Sequence, residues 1–145
     1  MDMWFSIANL ATLCGWALLI ATVFSERLRA PGWAIAGRWL PAAFAVTYLA
    51  LIATSLWGGD GDGGGGFDSL GSVRALFGDD RALMAGWLHY LAFDLFVGRW
   101  IAERGVARGR SPVLLIPAML LTFLLGPVGL LAALLLGLFK RGEAG

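Results

Sequence analysis

Four apolar segments, each close to the length that crosses a bilayer, dominate this chain. They cover about residues 3–24, 39–57, 83–102 and 113–139. The hydrocarbon core of a bilayer is about 30 Å thick, so a crossing helix needs about 20 apolar residues. No strand pattern competes, and a helix satisfies its own backbone hydrogen bonds in lipid. The sequence therefore predicts an all-α integral membrane protein with four transmembrane helices, forming a single domain over residues 1–145.

The composition agrees with a membrane protein and excludes several other classes. Hydrophobic residues make up 59% and charged residues 14% of the chain, whereas about 25% of residues are charged in soluble domains. The net charge of +1 provides no basic field for nucleic acid. One histidine and one cysteine exclude a site rich in these ligands within one chain. We therefore expect no metal, no cofactor and no nucleic acid, and a lipid bilayer as partner.

The connection between the second and third segments contains two different parts. It begins with GGDGDGGGG at Gly58, which predicts a flexible linker over residues 58–66, because its aspartate spacing fits no calcium loop. Asp68 is placed to cap a short helix that Gly78 ends. One side of that helix carries Leu70, Val73, Leu76 and Phe77. We expect the helix to lie at the membrane interface, and Asp79 to cap the third segment.

The distribution of Lys and Arg predicts the orientation in the membrane. Seven arginines lie in or beside the connections after the first and third segments: Arg27, Arg29, Arg38, Arg99, Arg104, Arg108 and Arg110. Four basic residues belong to the other side: Arg74, Arg81, Lys140 and Arg141. Cytoplasmic loops carry the excess of Lys and Arg, so both termini are expected outside the cytoplasm. The acidic start at Asp2 indicates a retained first span rather than a secretory signal.

The third segment is the one that carries ionisable side chains. The stretch Gly86–Trp100 reads GWLHYLAFDLFVGRW and contains His89, Asp94 and Arg99. Such groups cost about 2.5 kcal/mol or more at membrane depth, so they are rare without a role. One helix face holds Gly86, His89, Tyr90, Phe93, Asp94, Val97 and Trp100, and the opposite face holds Leu88, Leu91, Ala92, Leu95 and Ala102. We expect the first face to contact protein or ligand and the second to contact lipid.

Two interpretations of these polar residues remain open from the residues alone. Asp94 follows Tyr90 by four residues, so the two side chains can interact along the helix. His89 is five residues from Asp94, too far along the axis for a good direct contact. The group is either a polar network that holds helices together or an acid–base pair around a buried substrate. Arg99 and Glu103 are four residues apart and can form an ion pair within the helix. We expect their side chains to lie on the lipid side and to extend toward the water at the end of the segment.

The other segments carry fewer polar residues, for which helix packing is the favoured role. Asn9 and Trp16 share a face of the first segment. An intramembrane asparagine usually bonds across helices, and the third segment is the expected partner; contact with a ligand is the alternative. In the fourth segment, Pro117 and the GPVG sequence Gly126–Gly129 predict a bend and a packing notch.

Four stretches of the chain resemble one known family. AGWLHYLAFDLFVGRWIA, at residues 85–102, resembles the signature of the abscisic-acid-deficient-four-like membrane proteins. SIANLATLCGWALLI and LPAAFAVTYLALI resemble the first and second spans of that family, and LTFLLGPVGLLAALLL resembles its last. The resemblance covers nearly the whole chain in order. The family includes the plant plastid protein needed to convert violaxanthin to neoxanthin.

The resemblance implies a carotenoid-related membrane protein, and an isomerase-type enzyme is the favoured interpretation. The plant reaction opens a carotenoid epoxide to an allenic alcohol without net redox change. It needs an acid for the epoxide oxygen and a base for a carbon-bound proton. We expect His89, Asp94 and Tyr90 to supply them. The expected substrate-binding residues are Asn9, Trp16, Gly86, Phe93 and Trp100.

Two other functions remain open. The chain is alternatively a non-catalytic subunit that binds a pigment or polyisoprenoid in a larger membrane assembly. A proton or solute pathway through a homo-oligomer ranks last, because the polar residues concentrate on one segment. A carotenoid or another long apolar molecule is the expected ligand. The short chain shows no plastid transit peptide, which favours a bacterial inner membrane.

Overall fold

The computed structural model describes residues 1–57 and 65–137, and every regular element in those two ranges is helical. The elements are α1 (Asp2–Phe24), α2 (Glu26–Ala34), a π-helical turn (Ile35–Trp39), α3 (Leu40–Trp57), α4 (Leu70–Leu76), α5 (Asp80–Ala107), α6 (Pro112–Leu125) and α7 (Pro127–Leu135). The predicted all-α class is confirmed. Most of the predicted flexible linker, residues 58–64, lies outside the described residues.

Two helical stretches in the described part are long and apolar enough to cross a membrane. They are α1 and the continuous stretch Glu26–Thr54, which joins α2, the π-helical turn and α3. The second stretch begins well before the predicted residue 39. Only the extended residue Ser25 separates α2 from α1, and the Trp33 indole N–H donates to Thr22 Oγ1 at 3.1 Å. The charged residues and the proline of ERLRAPGW, residues 26–33, are typical of a loop. In the structure this stretch is helical and packs back on α1.

The centre of the fold is α5, which packs against α1, α3, the π-helical turn and α6. The side chains buried along it include the very set predicted to face lipid: Leu88, Leu91, Ala92, Leu95 and Ala102. Phe93, on the face predicted to contact protein, is 59% exposed. The predicted orientation of this helix is therefore wrong. Lipid and a protein interior are equally apolar, so the hydrophobic pattern alone does not distinguish them.

Leu95→Ala should consequently destabilise the fold, whereas Phe93→Ala should not. Leu95 is fully buried and contacts α1 beside Gly15. Its truncation leaves a cavity and is expected to cost about 2–5 kcal/mol. Phe93 is largely exposed, so truncation of its ring leaves no internal cavity. The measurement is the unfolding midpoint of each variant in detergent micelles, and equal decreases for the two variants would contradict this packing.

The predicted ion pair on α5 is confirmed, but its surroundings differ from the expectation. The Arg99 Nε and Nη2 atoms each lie 3.1 Å from Glu103 Oε2. The aliphatic part of Arg99 lies directly over Gly37 in the π-helical turn, where any larger residue would collide with it. Arg99 therefore packs against a neighbouring helix rather than projecting into lipid.

The short helix α4 forms where it was predicted, with a different cap. Ser69 precedes it in an extended conformation and its Oγ accepts from the Ser72 N–H at 3.1 Å, so Asp68 is not the cap. Asp79 caps α5 as predicted, because its Oδ1 accepts from the backbone N–H groups of the first turn. Phe77, after α4, lies against Gly86 of α5. The contact fixes the connection on the end of α5.

The fourth apolar segment is not one bent helix. Within its described part, α6 ends at Leu125 and α7 begins at Pro127. Gly126 between them has φ +24° and ψ −81°, a conformation that residues with a side chain rarely adopt. Pro127 supplies no N–H, so it is suited to begin a new helix. Pro117 remains inside α6, and residues 138 and 139 of the predicted segment lie outside the described residues.

Candidate functional site

A buried carboxylate occupies the middle of the central helix. Asp94 is only 8% exposed, and its Oδ1 atom lies 2.6 Å from the position that a Cβ on Gly126 would take. Its Oδ2 atom is buried and has no hydrogen-bond partner among the described residues. Buried polar atoms are nearly always paired. The free oxygen therefore marks Asp94 as the first candidate for a role beyond packing.

Tyr90 joins Asp94 to the break between α6 and α7. Its hydroxyl donates to the Leu124 carbonyl at 3.3 Å and lies close enough to the Asp94 carboxylate for the two side chains to interact. The Leu124 carbonyl is available because the last carbonyls of a helix have no partner within it. The predicted Tyr90–Asp94 pair is thus brought together. One phenolic proton has two acceptors within reach.

His89 lies apart from this pair. Its ring stacks on Phe93, with 4.6 Å between the ring centroids and 26° between the planes, and Tyr48 of α3 lies 5.9 Å away. His89 is exposed on the surface of the helix bundle. Five helical residues correspond to a rotation of about 140°, which separates it from buried Asp94. The three predicted catalytic residues therefore do not form one group, since only Tyr90 and Asp94 meet.

Asn9 has the structural role that was the favoured expectation. Its Oδ1 accepts from the Trp87 indole N–H of α5 at 3.1 Å, and its Nδ2 donates to the Phe5 carbonyl at 2.9 Å. The third apolar segment is confirmed as its partner. Both ends of the amide are occupied, so Asn9 joins α1 to α5.

Trp16 and Gly86, two predicted substrate-binding residues, are used in packing. Trp16 is 2% exposed, meets Phe123 edge-on at 5.6 Å and covers Gly98, where a Cβ would lie 2.7 Å from its ring atom Cζ3. Gly86 is covered by Phe77. The two others, Phe93 and Trp100, lie on the same stripe of α5 as His89, and Trp100 is half-buried.

The sequence did not identify the backbone of the α6–α7 break as part of the site. Gly126 and the Leu124 carbonyl provide one side of the Asp94 environment. The Gly-Pro pair at Gly126 is a strong sequence signal for interrupted structure, but nothing local indicates that it meets Asp94.

The chemistry available here is proton transfer. A buried carboxylate and a half-buried phenol are adjacent, beside the break between α6 and α7. Within the part of the chain that the structure describes, no three His, Cys, Asp or Glu side chains converge as metal ligands would. Asp94 and Tyr90 can therefore exchange protons with a ligand and with each other.

Comparison with known proteins adds one match. A family model described as ABA4-like, ABA DEFICIENT 4-like, matches residues 3–132. No curated protein and no solved structure matches the chain. The matched range includes α1 from its second residue, all of α2 to α6, the Asp94–Tyr90 pair and the Gly126 break. The chain belongs to the ABA DEFICIENT 4-like family.

Proposed function

We propose that this protein is an integral membrane isomerase that acts on a carotenoid, with Asp94 and Tyr90 as its acid–base pair. Family membership supports the carotenoid connection. The observation that carries the reaction is the buried Asp94 carboxylate, which lies beside the Tyr90 hydroxyl and whose Oδ2 atom has no hydrogen-bond partner in the described ranges 1–57 and 65–137. An oxygen without a protein partner is available to a substrate.

The proposed reaction opens an epoxide to an allenic alcohol and needs only protons. Asp94 removes a proton from the carbon chain, and the electrons of that C–H bond form the new double bond as the C–O bond of the epoxide breaks. Tyr90 donates its proton to the departing oxygen. The proton on Asp94 then returns to Tyr90, which restores both groups. Atoms and electrons balance without a redox partner, and adjacency of the two side chains permits the return step.

A carotenoid dissolved in the bilayer has a lateral route to this pair. Tyr90 is half-buried, and Leu124 and Leu125, at the end of α6 next to the break, are 64% and 54% exposed. Apolar side chains at such positions favour lipid contact. The substrate therefore approaches Tyr90 from the hydrocarbon phase and reaches Asp94 behind it.

The surface around His89 favours a second candidate function, the binding of a pigment without catalysis. His89, Phe93, Phe96 and Trp100 form an aromatic stripe along α5. Phe93 and Phe96 are 59% and 55% exposed. Flat rings on this stripe suit stacking against a conjugated chain, and the imidazole can hydrogen-bond a hydroxyl at its end. In an enzyme, the same stripe would hold the substrate while Asp94 and Tyr90 act.

The proposed setting is a cell membrane, with the N-terminus of α1 outside the cytoplasm. In this proposal the two apolar helical stretches form two crossings, and α5 forms a third because it packs against both of them. The arginines after α1 and α5 then lie in the cytoplasm, as the charge rule requires. Association with further copies or with a larger membrane assembly would cover part of the exposed apolar surface.

The proposal is tested by pigment analysis of a host that makes epoxide carotenoids, with and without this protein. The expected result is a new pigment of unchanged mass and changed chromatographic retention, because an isomerisation conserves composition. A pigment that co-purifies with the protein but is never converted would favour the binding function. If no supplied epoxide carotenoid is either converted or bound, both candidate functions are wrong.

A further inference from the structure

The last two helices of the described residues are each too short to cross a bilayer. α6 has 14 residues and α7 has 9, which correspond to lengths of about 21 Å and 14 Å. The hydrocarbon core is about 30 Å thick. A straight helix through both would span it, so the geometry of the Gly126 break decides the path of the chain.

The chain reverses at this break. Thr122 and Gly129 are seven residues apart and would be separated by about 10 Å along a continuous helix. Instead, a Cβ on Gly129 would overlap the backbone nitrogen and Cα of Thr122. α7 packs on α6 rather than on α5. Ala118 lies one turn before Thr122 on α6, and Ala133 lies one turn after Gly129 on α7. Both are buried, and small residues at such spacing are typical of closely packed membrane helices.

The contacts with α5 show how far the hairpin extends. Leu115, near the start of α6, lies against Gly105, near the end of α5. Gly126 lies against Asp94, which is at the middle of the 28 residues of α5. α6 therefore runs antiparallel to α5 along only half of its length. The break lies near the middle of the bilayer if α5 crosses it.

We propose that α6 and α7 form a re-entrant hairpin, which enters the membrane from the side of Ser111 and returns to that side. Its tip at Gly126 stops at mid-membrane against Asp94. Irregular backbone at this depth is tolerated where protein covers it, and Gly126 is buried. The placement does not depend on the proposed reaction.

The charge distribution supports this path independently of the geometry. In the sequence Lys140 and Arg141 follow α7, so a chain that returns after α7 would carry these charges to the same side as the arginines that follow α1 and α5. Nine of the eleven Lys and Arg residues then share the cytoplasmic side, and only Arg74 and Arg81 remain opposite. A fourth crossing would put Lys140 and Arg141 outside. The re-entrant path therefore fits the positive-inside rule better than the four-span prediction, in which both termini lie outside.

The test compares three single-cysteine proteins in a background where Cys14 is replaced by Ala. The cysteines are Asp2→Cys, Ser111→Cys and one appended after Gly145, and the probe is a membrane-impermeant maleimide applied to intact cells whose outer membrane, if any, is permeabilised. Labelling after full permeabilisation is the control that each cysteine reacts. The expected result is labelling at position 2 and protection at both 111 and the C-terminus. Labelling of the C-terminus together with position 2 would overturn the re-entrant hairpin.

Discussion

Asp94→Asn is expected to lower carotenoid conversion by about 100- to 10,000-fold, the range that a general acid or base contributes. Asparagine keeps the shape of the side chain but neither gains nor loses a proton in this role. Asp94 is buried, and no described residue pairs with its Oδ2 atom, so the substitution breaks no known hydrogen bond of that oxygen. The measurement is pigment conversion in the carotenoid-producing host, normalised to the amount of folded protein in the membrane.

Two further variants make this result specific to the pair. Tyr90→Phe should also lose conversion, because it removes the phenolic proton and keeps the ring. His89→Gln is the matched control: it changes the only histidine, which is exposed and stacked on Phe93, and should retain conversion with weaker binding of the pigment. If His89→Gln loses conversion and Asp94→Asn keeps it, the catalytic residue is on the aromatic stripe and the Asp94–Tyr90 assignment is wrong.

The sequence predicted α1 and the start of α5 well, because apolar length and local capping define them. The apolar length of the first segment matches α1, and Asp79 marked the start of α5 because its carboxylate caps the backbone within a single turn. Asn9 was correctly matched to the third segment, since a polar amide in lipid seeks a partner on a neighbouring helix. The first two inferences depend only on residues within one helical turn or one helix, and the third depends only on the presence of an adjacent helix.

The side of α5 that is buried was not predictable from its composition. Leu95 and Phe93 are both apolar, yet Leu95 is fully buried and Phe93 is largely exposed. The difference arises because α1, α3 and α6 surround the leucine face. A lipid environment removes the hydrophobic contrast that identifies the buried face in water.

The local part of the candidate site was predictable from the sequence, and the part that depends on distant residues was not. Tyr90 and Asp94 are one helical turn apart, so the spacing alone brings them together. The contribution of Gly126 required a contact between residues 32 positions apart in the sequence. The Gly-Pro pair indicated an interruption but not its direction, which is set by how closely α7 approaches α6.

Gly129→Ala should lower the stability of the protein more than any other addition of a single methyl group in the described part of the hairpin. Its Cβ would overlap the backbone nitrogen and Cα of Thr122, which cannot move aside without separating α6 from α7. We expect a decrease of about 3 kcal/mol or more in the free energy of unfolding, at the upper end of overpacking costs. The unfolding midpoint in detergent micelles measures it.

Two comparisons show whether the backbone contact is the cause. Gly71→Ala adds the same methyl group in the exposed helix α4, where the nearest atom, Ser69 Oγ, lies 3.7 Å away, and should cause no decrease in stability because alanine favours helix over glycine by about 1 kcal/mol. Thr122→Ala combined with Gly129→Ala removes the threonine hydroxyl but leaves the backbone in place, so it should not restore stability. Restoration by Thr122→Ala would show that only side chains limit the approach of the two helices. A Gly129→Ala protein as stable as Gly71→Ala would show that α6 and α7 do not cross at Thr122.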